Sequence, residues 1–379
     1  MSRPHDAQRS SFPFGNPFRR ILPRASYLSP NLLTLLHSFE QTLAESLRKL
    51  KPENTSDVLS LSWMRQAMKS LSDTHINVKV LTTALHFPVS DWDEVWLDMY
   101  LDNSVKLLDI CIALMSEISR LDHCQILLKY VIHILACSST SPSSEQLKRA
   151  HSSLHDWMQQ ISARGPKLDC FAILEELAGT LHLVKVKNSA KGKVLMRALY
   201  GVKVQTIFVS SVFTAALSGC SKPLLDLQIS GDFLWANAFN DLQVAVNGEV
   251  RNLFLHGKSV VFKELEAVNA CAEKLHTLII IVNKEENKES EDMTNGKESA
   301  LGNPTWQEED QWKEPASNLA KTADSFALEL DLLSKQVDEF FQLVLSSRDV
   351  LLSSLRISDA NFKASCAPLF PSKLALWCS

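Results

Sequence analysis

Residues 319–344, LAKTADSFALELDLLSKQVDEFFQLV, determine the fold class of this chain. Their apolar side chains recur in alternating steps of four and three: Leu319, Ala323, Phe326, Leu330, Leu333, Val337, Phe340 and Val344. That spacing predicts one long helix with a coiled-coil seam. We expect the seam to pack back on the same chain, with a homodimeric zipper as the alternative.

Helical apolar patterns also cover most of residues 29–282, and the prolines of this region fall in the gaps between them. Ser29-Pro30 predicts the start of the first helix, because serine caps helices and proline is tolerated at the first helical position. Further helices are expected over 57–85, 122–137, 143–164, 168–183, 232–256 and 258–282. Between the first two of these, a helix opening near Ser90 carries an apolar face of Leu101, Val105, Leu108, Ile112 and Met115.

These patterns predict an all-α fold, an elongated multi-helix bundle with a long C-terminal heptad-patterned helix. One stretch, 283–315, interrupts them with ten acidic residues against four lysines, which is typical of a solvated linker. We therefore expect five segments: a basic, disordered segment (1–28), the helical bundle (29–282), the acidic linker (283–315), the long C-terminal helix packing on the bundle (316–357) and an irregular tail (358–379).

Composition excludes several classes of protein. Hydrophobic residues at 45% and charged residues at 22% are globular values, and a net charge of −4 gives no global signal for nucleic acid. No two of the eight cysteines form a CxxC pair. Free, mostly buried thiols in a reducing, intracellular compartment are therefore expected, and a zinc site is not.

The first 25 residues contain five arginines, three serines and a single acid. This composition is typical of a plastid or mitochondrial transit peptide, and an ordinary basic tail has the same composition. An aromatic–proline run lies inside it, and its phenylalanines are candidates for docking on a partner or on the protein's own surface: Phe12, Phe14 and Phe18.

Motif searches yield no catalytic, cofactor-binding or metal-binding residue. Gly257-Lys258-Ser259 resembles the end of a phosphate-binding loop, but Asn252 occupies the position of the required first glycine. His151 and His155 are spaced to share one helix face, but Ser152 stands where a zinc metalloprotease has its general base. The sequence therefore predicts a protein that is not an enzyme and needs no cofactor.

A basic segment is the remaining candidate for function. Residues 177–225 contain seven basic residues and no acid, and six of them are candidate contacts for an anionic membrane or a partner: Lys185, Lys187, Lys191, Lys193, Arg197 and Lys203. The apolar stretch 207–217 is predicted to be a buried core helix, with membrane insertion as the alternative. Neutralisation of the basic segment by the acidic linker is the other interpretation, and the scarcity of stacking aromatics argues against nucleic acid.

Three blocks of this sequence resemble the plant BYPASS family. They are FPFGNPF at 12–18, PVSDW at 88–92 and the long run KVKNSAKGKVLMRALYGVK at 185–203. The resemblance extends over residues 1–357. It implies a plant-specific helical protein without known enzymatic activity, which restrains production of a root-derived, carotenoid-related mobile signal that arrests shoot growth.

The resemblance also bears on partners and compartment. Some more distant relatives interact with the exocyst, so an exocyst-type protein partner is one expectation. We expect an intracellular protein, plastid-located if residues 1–25 act as a transit peptide, with the cytosol or the cytosolic face of an endomembrane as the alternative. Two hypotheses follow: a helical adaptor that acts as a developmental regulator, or a binder or modifier of a small lipophilic metabolite in a cavity between helices.

Overall fold

A computed structural model of the chain describes residues 28–54, 57–86, 94–136, 142–162, 170–186, 189–255, 262–293 and 312–365. Within these ranges the chain forms nine α-helices and no strand, which confirms the all-α prediction. In chain order they are α1 (Pro30–Leu50), α2 (Leu61–Ala84), α3 (Glu94–Ala136), α4 (Ser144–Ser162), α5 (Cys170–Gly179), α6 (Ala190–Ser218), α7 (Ala236–Leu255), α8 (Lys263–Met293) and α9 (Lys313–Ser365).

Capping serines begin several of these helices, as serine favours at this position. Ser29 accepts a hydrogen bond from the Leu32 amide and Pro30 takes the first helical position, so α1 begins where it was predicted. Ser60 caps α2 in the same way, and Ser189 caps α6 by accepting from the Gly192 amide at 2.9 Å. Gly219 ends α6 with φ 64°, a left-handed conformation that glycine adopts without strain.

The seam of α9 packs on the same chain. All eight of its apolar residues are at most 4% exposed, and α9 contacts α2, α3 and α8 along its length. Helix α8 has an apolar stripe with the same spacing, and its residues are also buried: Leu265, Val268, Ala272, Leu275 and Ile279. Packing of the seam on the same chain was the predicted outcome. Because these residues are buried inside the bundle, they leave little apolar surface for a homodimer.

Helix α6 is the most deeply buried helix and contacts α1, α2, α3, α5 and α7. Residues 207–217 lie within it, as predicted for a core helix. Some of its polar side chains pair inside the bundle: Gln205 donates to Ser70 at 2.8 Å, and the Ser70 hydroxyl lies 2.6 Å from that of Ser46. The Gln205 carbonyl oxygen and the Thr214 hydroxyl are buried without a protein partner among the described residues. By length and composition α6 could also cross a membrane, the one helix of the described ranges that could, but 89% of its apolar window is buried.

Helix α3 differs from the prediction in two ways. It is one helix of 43 residues, because nothing between the two predicted helices is proline or glycine. Its predicted apolar face is also not the buried one, since Val105 and Ile112 are 41% and 52% exposed. The core face is formed instead by Leu107, Ile110, Cys111, Leu114, Ile118 and Leu121.

Two predicted boundaries also move. Helix α8 continues to Met293, into the segment predicted as an acidic linker, because a polar, acid-rich stretch can extend an existing helix one residue at a time. Helix α9 likewise continues beyond 357 to Ser365, so the first part of the predicted tail is helical. Residues 1–27, 294–311 and 366–379 lie outside the described residues, and residues 313–315, at the end of the predicted linker, already belong to α9.

Candidate functional site

The basic segment does not form one cationic surface. Lys185 is exposed before α6, Lys187 lies outside the described residues, and the other four are half-buried on α6. An α-helix turns by about 100° per residue, so positions 193 and 197 share one side of α6, whereas 191 and 203 point in other directions around the axis. Lys191 donates to the His86 carbonyl at 3.2 Å, and the two cations farthest along the helix are also used inside the fold.

Arg197 joins three parts of the bundle. Its Nε donates to Glu40 of α1, and its guanidinium donates to the Asp232 carbonyl in the α6–α7 connection. The same guanidinium lies 4.5 Å from the ring centre of Phe233, within the range of a cation–π contact. Glu40 is 1% exposed and also accepts from the Leu234 amide at 3.1 Å. Arg197 therefore holds helices together.

Lys203 lines a cavity between α2, α3, α6 and α9. Its Nζ donates to the Thr180 carbonyl and hydroxyl at 3.1 and 2.8 Å. Burial, and then the charge of Lys106, lower its pKa to about 8. About a tenth of such amines are neutral at pH 7, so Lys203 has some of the nucleophilic character that buried lysines show towards carbonyls.

The cavity itself is small and mostly apolar. Its volume is about 100 Å³, and its walls combine apolar residues with a few polar groups: Met196, Leu199, Ile207, Tyr100, Asn103 and Ser104. Arg348 of α9 closes one side by donating to the Leu101 carbonyl and to Ser104. Ligand pockets usually measure roughly 300–1,000 Å³, and a cavity of roughly 150 Å³ holds benzene. In this conformation the cavity fits only a few non-hydrogen atoms.

His75 supplies a neutral imidazole to the cavity wall. Burial lowers its pKa to about 4, so the ring is uncharged at neutral pH. The ring lies edge-on to Phe340 with centroids 5.0 Å apart, and a nitrogen is 3.4 Å from the Thr206 hydroxyl. Burial also raises the pKa of Tyr100. The wall therefore offers hydrogen bonds with almost no fixed charge apart from Lys203.

A second cluster joins α4 to α8. His151 and His155, the pair singled out in the sequence, meet His276, whose ring stacks on His151 with centroids 4.4 Å apart. Burial and the two neighbouring histidines lower the pKa of His276. Stacked rings do not point their nitrogens at a common ion, and no group of metal-ligating side chains occurs in the described part of the chain.

Comparison with known proteins identifies the family. The chain is 43% identical to Protein BPS1, chloroplastic, of Arabidopsis thaliana, over 97% of both chains. It is also 43% identical to UPF0496 protein 4 of Oryza sativa subsp. japonica and of subsp. indica, over 96% of this chain and 99% of each relative. The chain belongs to the BYPASS family.

Further comparisons agree with that assignment. The profile of the ROH1-like family matches residues 25–167 of this BYPASS-family chain. No solved structure matches it. The predicted family and its role as a family of plant developmental regulators are confirmed at this level, and the names of these relatives do not designate an enzyme activity.

Sequence reasoning missed several partners in these sites. Thr180, His75 and His276 lie far in sequence from the residues they contact, and no local spacing links them. The absence of acidic residues from 177–225 made Lys203 a candidate contact, but it did not predict that Lys203 is half-buried. The docking candidates Phe12, Phe14 and Phe18 lie outside the described residues and stay predictions.

Proposed function

We propose that this BYPASS-family protein is a non-enzymatic developmental regulator that acts as a helical adaptor. In this proposal it restrains production of a root-derived, carotenoid-related mobile signal that arrests shoot growth. The observation that carries it is the 43% identity to BPS1 along nearly the whole chain. Identity of this extent includes the core helices and the connections between them, so it supports a shared role.

A grafting experiment tests this role. Plants lacking their BYPASS-family proteins would serve as rootstocks under wild-type shoots, with the present chain expressed in the root. We expect the chain to restore shoot growth. Continued arrest, with the protein present at the level of a rescuing BPS1 control, would contradict the proposal.

The adaptor is favoured over a metabolite binder by the size of the cavity. At about 100 Å³ this apolar cavity falls below the volume that a carotenoid-derived ligand needs. Larger open grooves of about 670 and 520 Å³ are lined mostly by polar and charged residues, which suit such a ligand poorly. The metabolite binder is retained as the second candidate, because Lys203 presents a partly neutral amine to an apolar wall. Reductive trapping with borohydride and small aldehydes tests it. Faster labelling of Lys203 than of exposed Lys185 would favour this candidate, and no labelling of Lys203 would count against it.

Plastid location is the compartment that we propose, since BPS1 carries the description chloroplastic and residues 1–25 have a transit-like composition. Imaging of the intact chain fused at its C-terminus tests it beside a version that lacks residues 1–25. Plastid signal that is lost on truncation supports import. Signal in the cytosol or on an endomembrane from both versions contradicts it and favours an exocyst-type partner.

Contact with an anionic membrane is proposed for the four lysines nearest the start of α6. Arg197 and Lys203 are best left intact in its test because they hold the fold together. Liposome flotation with and without acidic lipids compares neutralised Lys185, Lys187, Lys191 and Lys193 with a control in which exposed Lys79, Lys129 and Lys148 are neutralised. Equal flotation of both variants would contradict this contact.

A further inference from the structure

Helix α3 carries two apolar faces, and among the described residues only one of them is fully covered. The covered face includes Leu107, Ile110 and Leu114, which are at most 5% exposed. The other face contains the five residues that the sequence analysis grouped by their spacing. Val105 and Ile112 are exposed, and Leu101, Leu108 and Met115 are half-buried at its edge. We call these five residues the α3 seam.

Regular spacing separates the α3 seam from ordinary exposed apolar residues. Single exposed residues such as Val244 of α7, which is 73% exposed, are common on protein surfaces. The α3 seam instead repeats in steps of four, three, four and three, which is the pattern of alternating d and a positions of a heptad. Over its length of roughly 21 Å at 1.5 Å per residue, it matches two heptads of a partner helix.

Polar residues set the ends of the α3 seam. Asp98 and Ser119 take the next equivalent positions on either side, and both are exposed. A partner helix can therefore bury an apolar stripe only between them. Two heptads form a short contact, which suits a reversible partner rather than a permanent subunit.

Charge selects the partner. Asp102 and Asp109 occupy the e positions beside the α3 seam, and both are exposed. Asp102 also pairs with Lys106 of its own helix at 2.6 Å, whereas Asp109 adds an exposed acid one heptad along. The g positions are taken by Ser104 and Cys111, which are buried inside the chain. Only the acidic flank is thus available to a partner, and acidic e positions favour lysine or arginine on the facing helix.

We propose that the α3 seam docks a basic amphipathic helix of a partner protein. This inference rests on the proposed adaptor function and names the chemistry of its partner. A second copy fits poorly, because an antiparallel pair would bring the acidic e positions of both copies together. An anionic membrane fits poorly for the same electrostatic reason.

Binding of designed peptides to the full chain tests the inference. The probe is a 21-residue helical peptide with a leucine–isoleucine seam and lysine flanks, and its matched control has glutamate flanks. Fluorescence anisotropy measures both affinities. We expect the basic peptide to bind at least tenfold more tightly than the acidic one, and Asp109→Lys to reduce this preference about threefold, an effect of the size of one flanking ion pair.

Variants assign the binding to the α3 seam. Val105→Glu with Ile112→Glu should weaken binding of the basic peptide at least tenfold, whereas Val244→Glu, at a more exposed position on α7, should leave its affinity unchanged. Circular dichroism verifies that both variants keep the helical fold. Equal binding of the two peptides, or equal affinity in both variants, would overturn the proposal.

Two further results would assign the α3 seam to another occupant. Self-association of the full chain that Val105→Glu with Ile112→Glu abolishes would assign it to a second copy. A rise in affinity for the basic peptide when residues 1–27 are removed would assign it to the chain's own N-terminal segment. Either result overturns a partner helix.

Grafting separates this inference from the proposed function. If the Val105→Glu with Ile112→Glu variant loses peptide binding but still restores shoot growth, the docking inference fails and the regulatory role stands. If the unaltered chain fails to restore shoot growth, the proposed function fails whatever the peptides show.

Discussion

Arg197 of α6 and Glu40 of α1 form an ion pair in which the carboxylate is almost completely buried. Arg197 belongs to the basic segment that the sequence marked as a binding surface, whereas Glu40 lies on another helix. Removing one partner of a buried pair leaves the other charge desolvated and unpaired, which is strongly destabilising. The most basic part of the sequence is therefore also part of the structural framework.

Arg197→Met should lower the free energy of unfolding by about 2–4 kcal/mol, because Glu40 then keeps a buried charge without its cation. Urea denaturation followed by circular dichroism measures the change. Lys185→Met, at an exposed position of the same segment, should change it by less than about 0.5 kcal/mol. Combining Arg197→Met with Glu40→Leu should recover part of the loss. Equal free energies of unfolding for Arg197→Met and Lys185→Met would contradict this account.

Gly201→Ala should destabilise the protein by about 1–2 kcal/mol. A Cβ at this position would lie 2.8 Å from Leu43 Cδ2 and 3.4 Å from the Trp235 ring, and both neighbours are buried, so a shift of Leu43 disturbs its packing. Gly248→Ala in α7 is the matched control, since a Cβ there meets nothing within 4 Å. It should stabilise the protein by about 0.5–1 kcal/mol, because alanine is the better helix former. Thermal unfolding of both variants should give shifts of opposite sign.

Acid should weaken the fold through two histidines. Burial lowers the pKa of His75 from 6.5 to about 4, and burial with neighbouring histidines lowers that of His276. The unfolded chain then binds more protons than the native one below pH 6.5. Above pH 6.5 both histidines are neutral in the native and the unfolded chain, so they do not oppose folding. As the pH falls towards 4, the unfolded chain takes up protons first, and the free energy of unfolding decreases.

Denaturation at a series of pH values checks the histidine effect. His75→Gln should reduce the loss of stability between pH 6.5 and 4 by about 2–3 kcal/mol, from the size of its pKa shift. His276→Gln should have a smaller effect in the same direction. Exposed His123→Gln is the control, and a pH profile of His75→Gln parallel to that of the control would contradict the assignment.

Alkylation should discriminate among the cysteines. Burial raises the pKa of Cys111 to about 12, and its side chain is 1% exposed, so iodoacetamide should not label it in the native protein at pH 8. Cys220 and Cys271 are half-buried and should react faster. Peptide mapping by mass spectrometry gives the site-by-site extent. Labelling of Cys111 at the rate of Cys220 in the native state would contradict the buried placement.

Periodicity in the sequence was reliable where a helix has one apolar face. The seam of α9 and its intramolecular packing follow from the alternating steps at 319–344, because burying that stripe is the main gain of the helix. In α3 the same steps mark the uncovered face. This helix is apolar on more than one side, so spacing alone could not decide which side meets the core.

The sequence by itself determined the helical class, the cap at Ser29, the core role of 207–217 and the family. The helices and their caps depend on residues within about one or two helical turns. The family depends on sequence identity to relatives along nearly the whole chain. Only the tertiary structure decided that Arg197 and Lys203 serve the fold, that His276 joins His151, and that the α3 seam faces outwards. Such contacts join residues that are distant in sequence, and they arise only when whole helices pack.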